Sequence, residues 1–522
     1  MLKKTKKASV ILVSFVLLCV VVLSGCAGNE NGNGADSNAV GSNGASATDG
    51  KQDDAPEATK SLEPIKVTAL QPYWGALPDM DGSLFKYIEK SMNVEFETEF
   101  VFGPNFMDKV NVALASGNLP HMLYIFDGKQ PSIVTAIRAG AFWELDGKLE
   151  KYPNLMAGKD KIRDENIKVD GKTYQIYIPE AISRQGMNMR QDWLDNLGLQ
   201  KPTTIDELYN VLRAFTQDDP DRNGKNDTIG LAQRLHAGVP VGFPILLAKF
   251  GAPNGYEVKD NKFIPAFTTE AYRETMRFFK KLYDEGIMNQ DFSYLQRTQG
   301  EELIQNGKAG VQISNVDEKL LWNPLLDSNP NASIVSLSYL EGPTGNHLFT
   351  SKGYWVTIAF PKSTVKTEEE LDRLLAALDL MAAPEQKEFF MLGIEGEHYK
   401  KDNGNISIVK NVESELVSLR MFAPDAFEPI APPGTPKHIE DMYDVLSENE
   451  TSNNLVNNPA ASIISKTAIE LGGELDKMIQ DATVKYIMGE VNDQQFDEVI
   501  EKWKSSGGVK MLEEFEAEYN KK

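Results

Sequence analysis

SLFKYIEKSMNVEFETEFVF, Ser83–Phe102, sets two hydrophobic periodicities end to end. Its first half is amphipathic at helical spacing with Ser83 as candidate N-cap, and its second half reads as a strand. Upstream, IKVTALQPYW (Ile65–Trp74) is rich in strand formers; downstream, FMDKVNVALASGN (Phe106–Asn118) reads as a helix stopped by Gly117 and Asn118. Strand, helix, strand, helix is the order of a parallel sheet with crossover helices, which makes the chain α/β.

The alternation continues. Leu119–Gly128 adds a short strand, Asp170-Gly171 between β-formers signals a hairpin, and Thr204-x-x-Glu207 opens a helix with a capping box. Thr269–Gly286 reads as helix, Gly307–Asn315 as a buried strand and Glu368–Gly393 as a helical pair broken at Pro384, and the chain is mostly helical from about Ile463. Its 522 residues exceed one compact core, so two or three domains are expected. A formal net charge of -22, with no Lys/Arg stripe in the body, excludes a nucleic-acid-binding surface.

Lys3, Lys4, Lys6 and Lys7, the apolar run Ala8–Leu23 and the ending Leu23-Ser24-Gly25-Cys26 have the layout of a secretory signal. Those last four residues are also the lipobox pattern of bacterial lipoproteins, so residues 1–25 are expected to be removed and Cys26 lipidated. Cys19 lies inside the signal, which leaves Cys26 as the only cysteine of the processed chain, with no disulfide and no thiol nucleophile. The rest of 26–60 is mostly Gly, Asn, Ser, Ala and Asp, the composition of a disordered tether reaching on the order of 30 Å.

DPDRNGKNDTIG, Asp219–Gly230, places Asp219, Asp221 and Asn223 at positions 1, 3 and 5, Gly224 at 6, Lys225 at 7 and Asp227 at 9 of an EF-hand-type calcium loop. Oxygens at alternate positions turn inward, Lys225 needs to offer only its backbone carbonyl, and hard oxygen ligands favour calcium over zinc. Gly230 replaces the bidentate glutamate of position 12, so a further ligand must come from Thr228, a remote carboxylate or water. Such an ion is expected to be structural, and the alternative is an Asx-rich turn without metal.

Catalytic signatures are thin. The five histidines lack HExxH spacing, and no GxSxG, P-loop or Rossmann glycine pattern follows a strand. Glu395 and Glu397 in GIEGEHY are the most suggestive carboxylate pair for a glycosidase, and their simpler reading is a loop bonding its own backbone. Aromatics beside turn formers are more informative. Tyr73 and Trp74 end the first strand, where open α/β sheets place ligands; Trp322 follows a buried strand; Tyr354 and Trp355 begin one after Gly353. With Arg190, Trp193 and Glu395 they form the candidate ligand-binding set, since flat rings bordered by carboxylates and amides suit a sugar.

The lipobox and tether, LASGNLPHMLYI, RAGAFWELDGKLEKYPNL, RQDWLDNLGLQKPTTIDEL, DPDRNGKNDTIGL, YDEGIMNQDF, NGKAGV and GIEGEHY, in that order, resemble the sugar-binding branch of extracellular solute-binding proteins of ABC importers. The resemblance runs from Cys26 to near the C-terminus. It implies a two-lobed, type II periplasmic-binding-protein-like fold with a ligand cleft between lobes and several chain crossovers. Lobe 1 would take 61–185 and 341–395, and lobe 2 would take 186–340 and 396–522. It further implies a non-enzymatic monomer, lipid-anchored to the outer face of a Gram-positive-type cell membrane, that closes on an oligosaccharide and is read by the permease subunits of the transporter. A structural calcium ion away from the cleft belongs to the same picture. His121 departs from the family's usual aspartate after Leu-Pro, and Thr228 stands where relatives often have a further carboxylate. Two other classes remain open: a surface glycoside hydrolase or lyase using Glu395 and Glu397, and a binding protein for a peptide or other non-sugar solute. The net charge weighs against a polyanionic sugar unless a local arginine such as Arg190 overrides it.

Overall fold

Five strands form the first of two main sheets, in the order Val94–Phe102, Ile65–Tyr73, Met122–Ile125, Tyr354–Ala359, Gln175–Pro179. The computed structural model describes residues 63–126, 128–403, 405–425 and 427–521, so the signal, Cys26 and tether readings lie outside the described residues. Ile65–Tyr73 runs parallel to Val94–Phe102 along its whole length, Ile65 opposite Val94. Tyr354–Ala359 arrives from a distant part of the chain and lies antiparallel to both neighbours, which makes the sheet mixed where the local pattern indicated a parallel one. Helix Ser83–Met92 is preceded by Gly82 at the N-cap, and Ser83 turns its hydroxyl to Glu397 Oε1 at 2.5 Å. Gly117, at φ 73°, ends helix Gly103–Ser116 in the left-handed conformation that a glycine adopts without strain.

The second sheet has the order Ile334–Leu337, Gln185–Arg190, Ala309–Asn315, Ile229–Leu231. Helix Ile205–Gln217 begins where Thr204 Oγ1 accepts from Glu207 N at 3.2 Å, while the Glu207 carboxylate bonds Thr203, so half of the expected box forms. Asp170 and Gly171 make the expected tight turn at φ 50° and 77°, but it bridges only Val169 to Lys172.

Each sheet has its own core, one around Phe85, Tyr124, Ile358 and Phe422, the other around Trp193, Phe215, Met276 and Trp503. The C-terminal helices Lys466–Ile487, Asp493–Trp503 and Val509–Tyr519 pack in the second. Phe349 also belongs to the second core, and Val412, Leu416, Leu419 and Phe422 belong to the first. Residues around 349 and 412–423 therefore sit with the opposite lobe from the one the sequence boundaries gave them. The reason is packing: the apolar side of helix Glu413–Leu419 covers the end of the first strand.

Three crossings join the lobes, between Pro179 and Gln185, between Phe349 and Tyr354, and after Ala423. Arg163, 5% exposed, bonds the first two and lies 5.8 Å from the ring of Phe427 in the third. Its guanidinium donates to Gly353 O at 2.7 Å, Glu180 O at 2.8 Å and Glu450 Oε1 at 2.6 Å. Glu450 Oε2 accepts from Ile182 N at 2.8 Å, and Ser351 N donates to Ile182 O at 2.7 Å. Gly353 must be glycine twice over: its φ is +81°, and a Cβ would stand 2.7 Å from Arg163 Cγ. Removing one member of a buried ion pair strands its partner, at a cost of about 3–5 kcal/mol. Glu450→Ala is therefore expected to lower the unfolding free energy by about 3 kcal/mol in urea titrations; a midpoint matching the parent chain would show that the pair does not hold the crossings.

Candidate functional site

A cleft of about 710 Å³ is walled by Trp74 and Trp355 of the first lobe, Glu180 and Arg184 of the first crossing, and Arg297, Asp317 and Lys319 of the second lobe. Trp74 follows the last residue of the first strand, and buried Ser418 fixes its backbone from both sides. Ser418 Oγ accepts from Trp74 N at 3.0 Å and donates to Trp74 O at 2.8 Å, and Gln71 Nε2 reaches Ser418 O at 2.9 Å. The indole lies flat on Gly103, where a Cβ would come within 2.2 Å of Cζ2. Rings of Phe126, Phe102 and Trp355 surround it at 5.9, 6.1 and 6.5 Å, with 31° between the two indole planes. Both tryptophans are half-buried, so one side of the cleft is an aromatic platform held by packing.

The facing wall is charged. Arg184 pairs with Glu180 at 2.5 Å and Asp317 at 3.0 Å, and Arg297 with Glu301 at 2.6 Å. Lys319 pairs with Glu413, which stands on the helix packed in the first core, so this contact joins the lobes. Glu318 accepts from Gln312 Nε2 at 2.6 Å, and burial pushes its pKa above the usual carboxylate range. Gln312 Oε1 in turn accepts from Trp322 Nε1 at 2.7 Å.

Of the sequence candidates, Trp74 and Trp355 come together in the cleft. Tyr73 is half-buried beside Phe102, ring centroids 5.5 Å apart. Four others are core residues and not cleft walls. Arg190 makes a buried bidentate pair with Asp192 at 2.8 and 2.6 Å; Trp193 packs edge-on to Phe215. Trp322 is fully buried and acts behind the cleft through Gln312, and Tyr354 stacks on Tyr177. Glu395 is exposed on the turn before Tyr399 and is not among the cleft residues. An aromatic next to a turn faces solvent or core according to the side of the strand it occupies, and local sequence does not show which side is covered. Arg184, Arg297 and the run Asp317-Glu318-Lys319 were missed. The signal was available for the last three, which directly follow the strand Ala309–Asn315 at its carboxyl end.

The acidic loop lies between helix Ile205–Gln217 and strand Ile229–Leu231. Asp219 accepts from Asn223 N and Gly224 N, both at 3.0 Å, which folds the chain around its carboxylate. The Asn223 amide donates to Asp221 at 2.8 Å and Asp227 at 3.1 Å, so the side chains at positions 3, 5 and 9 converge. Lys225 N donates to Asn223 Oδ1 at 2.8 Å. Burial and the neighbouring acids raise the Asp221 pKa, and the bond from Lys308 lowers that of Asp227. Thr228 is buried with its hydroxyl on Phe215 O at 2.8 Å, which removes it from the ligand set. Gly230 has a steric cause: a Cβ there would meet Leu212 O at 2.2 Å, so no glutamate fits. Among the described residues, no three His, Cys, Asp or Glu side chains gather closely enough to hold a metal ion. The oxygen-only donor set fits a hard cation, with Asn223 supplying its amide oxygen in place of the donor it now presents.

A larger hollow of about 1140 Å³ lies on the first lobe beside helices Gly103–Ser116 and Pro131–Arg138. Its walls belong to one lobe and carry no aromatic ring, with Asn111, Gln130 and Lys362 among otherwise small or aliphatic residues, so the cleft is the better ligand site.

The Bacterial extracellular solute-binding protein family model matches residues 71–388. The polygalacturonan/rhamnogalacturonan-binding protein YtcQ of Bacillus subtilis is 37% identical over 517 residues, covering 98% of each chain. Lipoprotein LipO of the same organism is 36% identical over 88% of this chain and 93% of its own. The ABC-transporter substrate binding protein FusA of S. pneumoniae, solved in complex with kestose, superposes with a TM-score of 0.66 at 19% identity, covering 87% of this chain and 99% of that one. Two lobes, three crossings, a cleft between them and the extent of these matches place the chain in the bacterial extracellular solute-binding protein family.

Proposed function

We propose that the protein captures an oligosaccharide in the Trp74–Trp355 cleft and delivers it to the permease of an ABC transporter. The aromatic platform facing a charged wall carries this reading: sugar C–H faces stack on indoles, while hydroxyls exchange bonds with the arginines and carboxylates opposite. The name of YtcQ, a polysaccharide-binding relative covered end to end, supports a carbohydrate, and FusA supports the transporter. Capture needs no chemistry from this chain; ligand shifts the equilibrium between open and closed lobes. The lipoprotein relative and the lipobox support an anchor at Cys26 that keeps the body outside the membrane. Titration of the processed chain with a panel of oligosaccharides is expected to quench tryptophan fluorescence saturably, without release of shorter sugars. Trp74→Ala should weaken binding at least tenfold, which is about 1.4 kcal/mol. Cleavage of the sugar, or an unchanged affinity in that variant, would count against the reading.

The loop Asp219–Asp227 is proposed as a structural calcium site, with Asp219, Asp221, Asn223 and Asp227 giving side-chain oxygens, Lys225 its carbonyl, and water the place of the excluded position-12 glutamate. The loop precedes strand Ile229–Leu231, while the cleft residues Asp317 and Lys319 follow the parallel neighbour Ala309–Asn315 at the opposite end of the sheet. A chelator should lower the melting temperature by about 3 °C and leave sugar affinity unchanged. Identical melting with and without chelator would refute occupancy, and an affinity that follows calcium would refute the structural role.

A further inference from the structure

Behind the crossings lies a second space between the lobes, of about 390 Å³, within the size range of small-molecule sites. Helix Lys161–Ile167 of the first lobe forms one wall and Asn254, Asn457 and Asn458 of the second lobe the other, with Ser351 and Lys352 of the second crossing between them. It shares no residue with the Trp74–Trp355 cleft. Ser351 donates from N to Ile182 O at 2.7 Å and from Oγ to Ala181 O at 3.2 Å, so the first two crossings run side by side. Ala181 of the first lines the cleft, and Ser351 of the second lines this pocket.

Backbone partners fix three amides here and leave one polar atom of each over. Asn166, 9% exposed, donates through Nδ2 to Lys352 O at 3.2 Å. Asn254 Nδ2 donates to Thr350 O at 2.9 Å and Val456 O at 3.0 Å, and Asn458 Oδ1 accepts from Ala460 N at 2.9 Å. Two acceptors, Asn166 Oδ1 and Asn254 Oδ1, and one donor, Asn458 Nδ2, have no partner among the described residues, and neither has the exposed amide of Asn457. A nearly buried amide oxygen without a donor is unfavourable, and a guest that supplies one relieves it.

We propose that this pocket binds a small neutral polyol of monosaccharide size, and that its occupation raises the affinity of the cleft for oligosaccharide. A hydroxyl both donates to the two free oxygens and accepts from the Asn458 amide. An anion only accepts and would set its charge against both oxygens, while a cation finds Glu165 alone, already paired with Lys168 at 2.7 Å. Of the two ammoniums at the pocket, Lys352 Nζ is engaged by Phe126 O at 2.9 Å, and Lys161 is exposed, where solvent screens its charge. Both lobes touch such a guest, so it favours the lobe arrangement that shapes the pocket. In that arrangement Lys319 of the second lobe reaches Glu413 of the first across the cleft, and Lys129 Nζ of the first reaches Ala461 O at the pocket rim at 3.4 Å. A guest that stabilises it shifts the lobes toward the form joined across the cleft, and linkage makes the gain in affinity reciprocal. Binding in the pocket stands on its own geometry; the coupling rests on the carbohydrate reading above.

The test uses the processed chain with D-galactose, myo-inositol and mannitol as probes, read first as melting temperature without oligosaccharide. At least one probe is expected to raise it in the parent and in Trp74→Ala. The rise should fall by about half or more in Asn457→Leu, which alters an exposed side chain without a partner, and in Asn458→Asp, which keeps the acceptor for Ala460 N and loses the free donor. A rise that both variants keep in full is the general effect of an excluded polyol and overturns the site. A rise lost in Trp74→Ala assigns the probe to the cleft and overturns it too. Isothermal titration with an oligosaccharide that binds the cleft then reads the coupling: a saturating probe should tighten it about fivefold in the parent and less than about twofold in the two asparagine variants. Unchanged or weakened affinity overturns the coupling. Failure of every oligosaccharide to bind brings down the carbohydrate reading and the coupling with it, while the melting comparison still decides the pocket.

Discussion

The two lobes depend on one buried guanidinium. Arg163 gathers the carbonyls of Glu180 and Gly353, one from each of the first two crossings, and the carboxylate of Glu450 at the end of the second-lobe helix Lys437–Glu450, while the ring of Phe427, in the third crossing, lies 5.8 Å from its Cζ. A lysine could not replace it, because three acceptors in different directions require the spread donors of a planar fork. The crossings are thereby bound to one another as well as to the first lobe. Asn449 Nδ2 bonds Gln185 O at 2.8 Å, and Phe349 N bonds Gln185 Oε1 at 2.9 Å. These bonds tie the crossings into one bundle, with the aromatic wall and the charged wall on either side of it.

The cleft inherits that constraint. Its first-lobe wall is the end of a strand, and a strand end is held only by what packs on it. Helix Glu413–Leu419 does this through Ser414, Glu415 and Ser418, which bond the backbone of Ala76, Asp79 and Trp74. The same helix supplies Glu413 to Lys319 of the opposite lobe. A segment distant in sequence thus positions the aromatic platform and meets the charged wall. Behind that wall Trp322 holds Gln312, and Gln312 holds Glu318, so a core tryptophan orients a cleft carboxyl without touching ligand.

Legibility in the sequence followed the range of the interactions. Strand Val94–Phe102 was readable to the residue because period-two alternation is a local property. The antiparallel entry of Tyr354–Ala359 was not, because it is decided by pairing with residues more than two hundred positions away. Trp74 was readable as a site residue from its place at a strand end, and Trp355 from the glycine before it. Trp193 and Trp322 turned inward, onto Phe215 and Gln312, because which face of a helix is covered is settled by how neighbouring elements pack and not by the local pattern. Arg184 and Arg297 carried no motif. In a chain where a quarter of the residues are charged, an arginine becomes informative only when the fold shows whether its partners are near.

The acidic loop enters the three-residue strand Ile229–Leu231 at one end of the second sheet, and the cleft residues Asp317 and Lys319 leave its parallel neighbour Ala309–Asn315 at the other, with Gly230 at the centre of the short strand. Its Cα lies against the carbonyl of Leu212 too closely for any side chain, and its N–H bonds Thr216 Oγ1 at 2.9 Å. The strand is thus docked on helix Ile205–Gln217 by backbone contact, independently of the charge in the loop. The glycine that takes the position-12 ligand from the loop is the residue that holds the strand in place. Stability gained or lost at the aspartates therefore reaches the stability of the second lobe, while the placement of the cleft residues rests on the docked strand and its parallel neighbour.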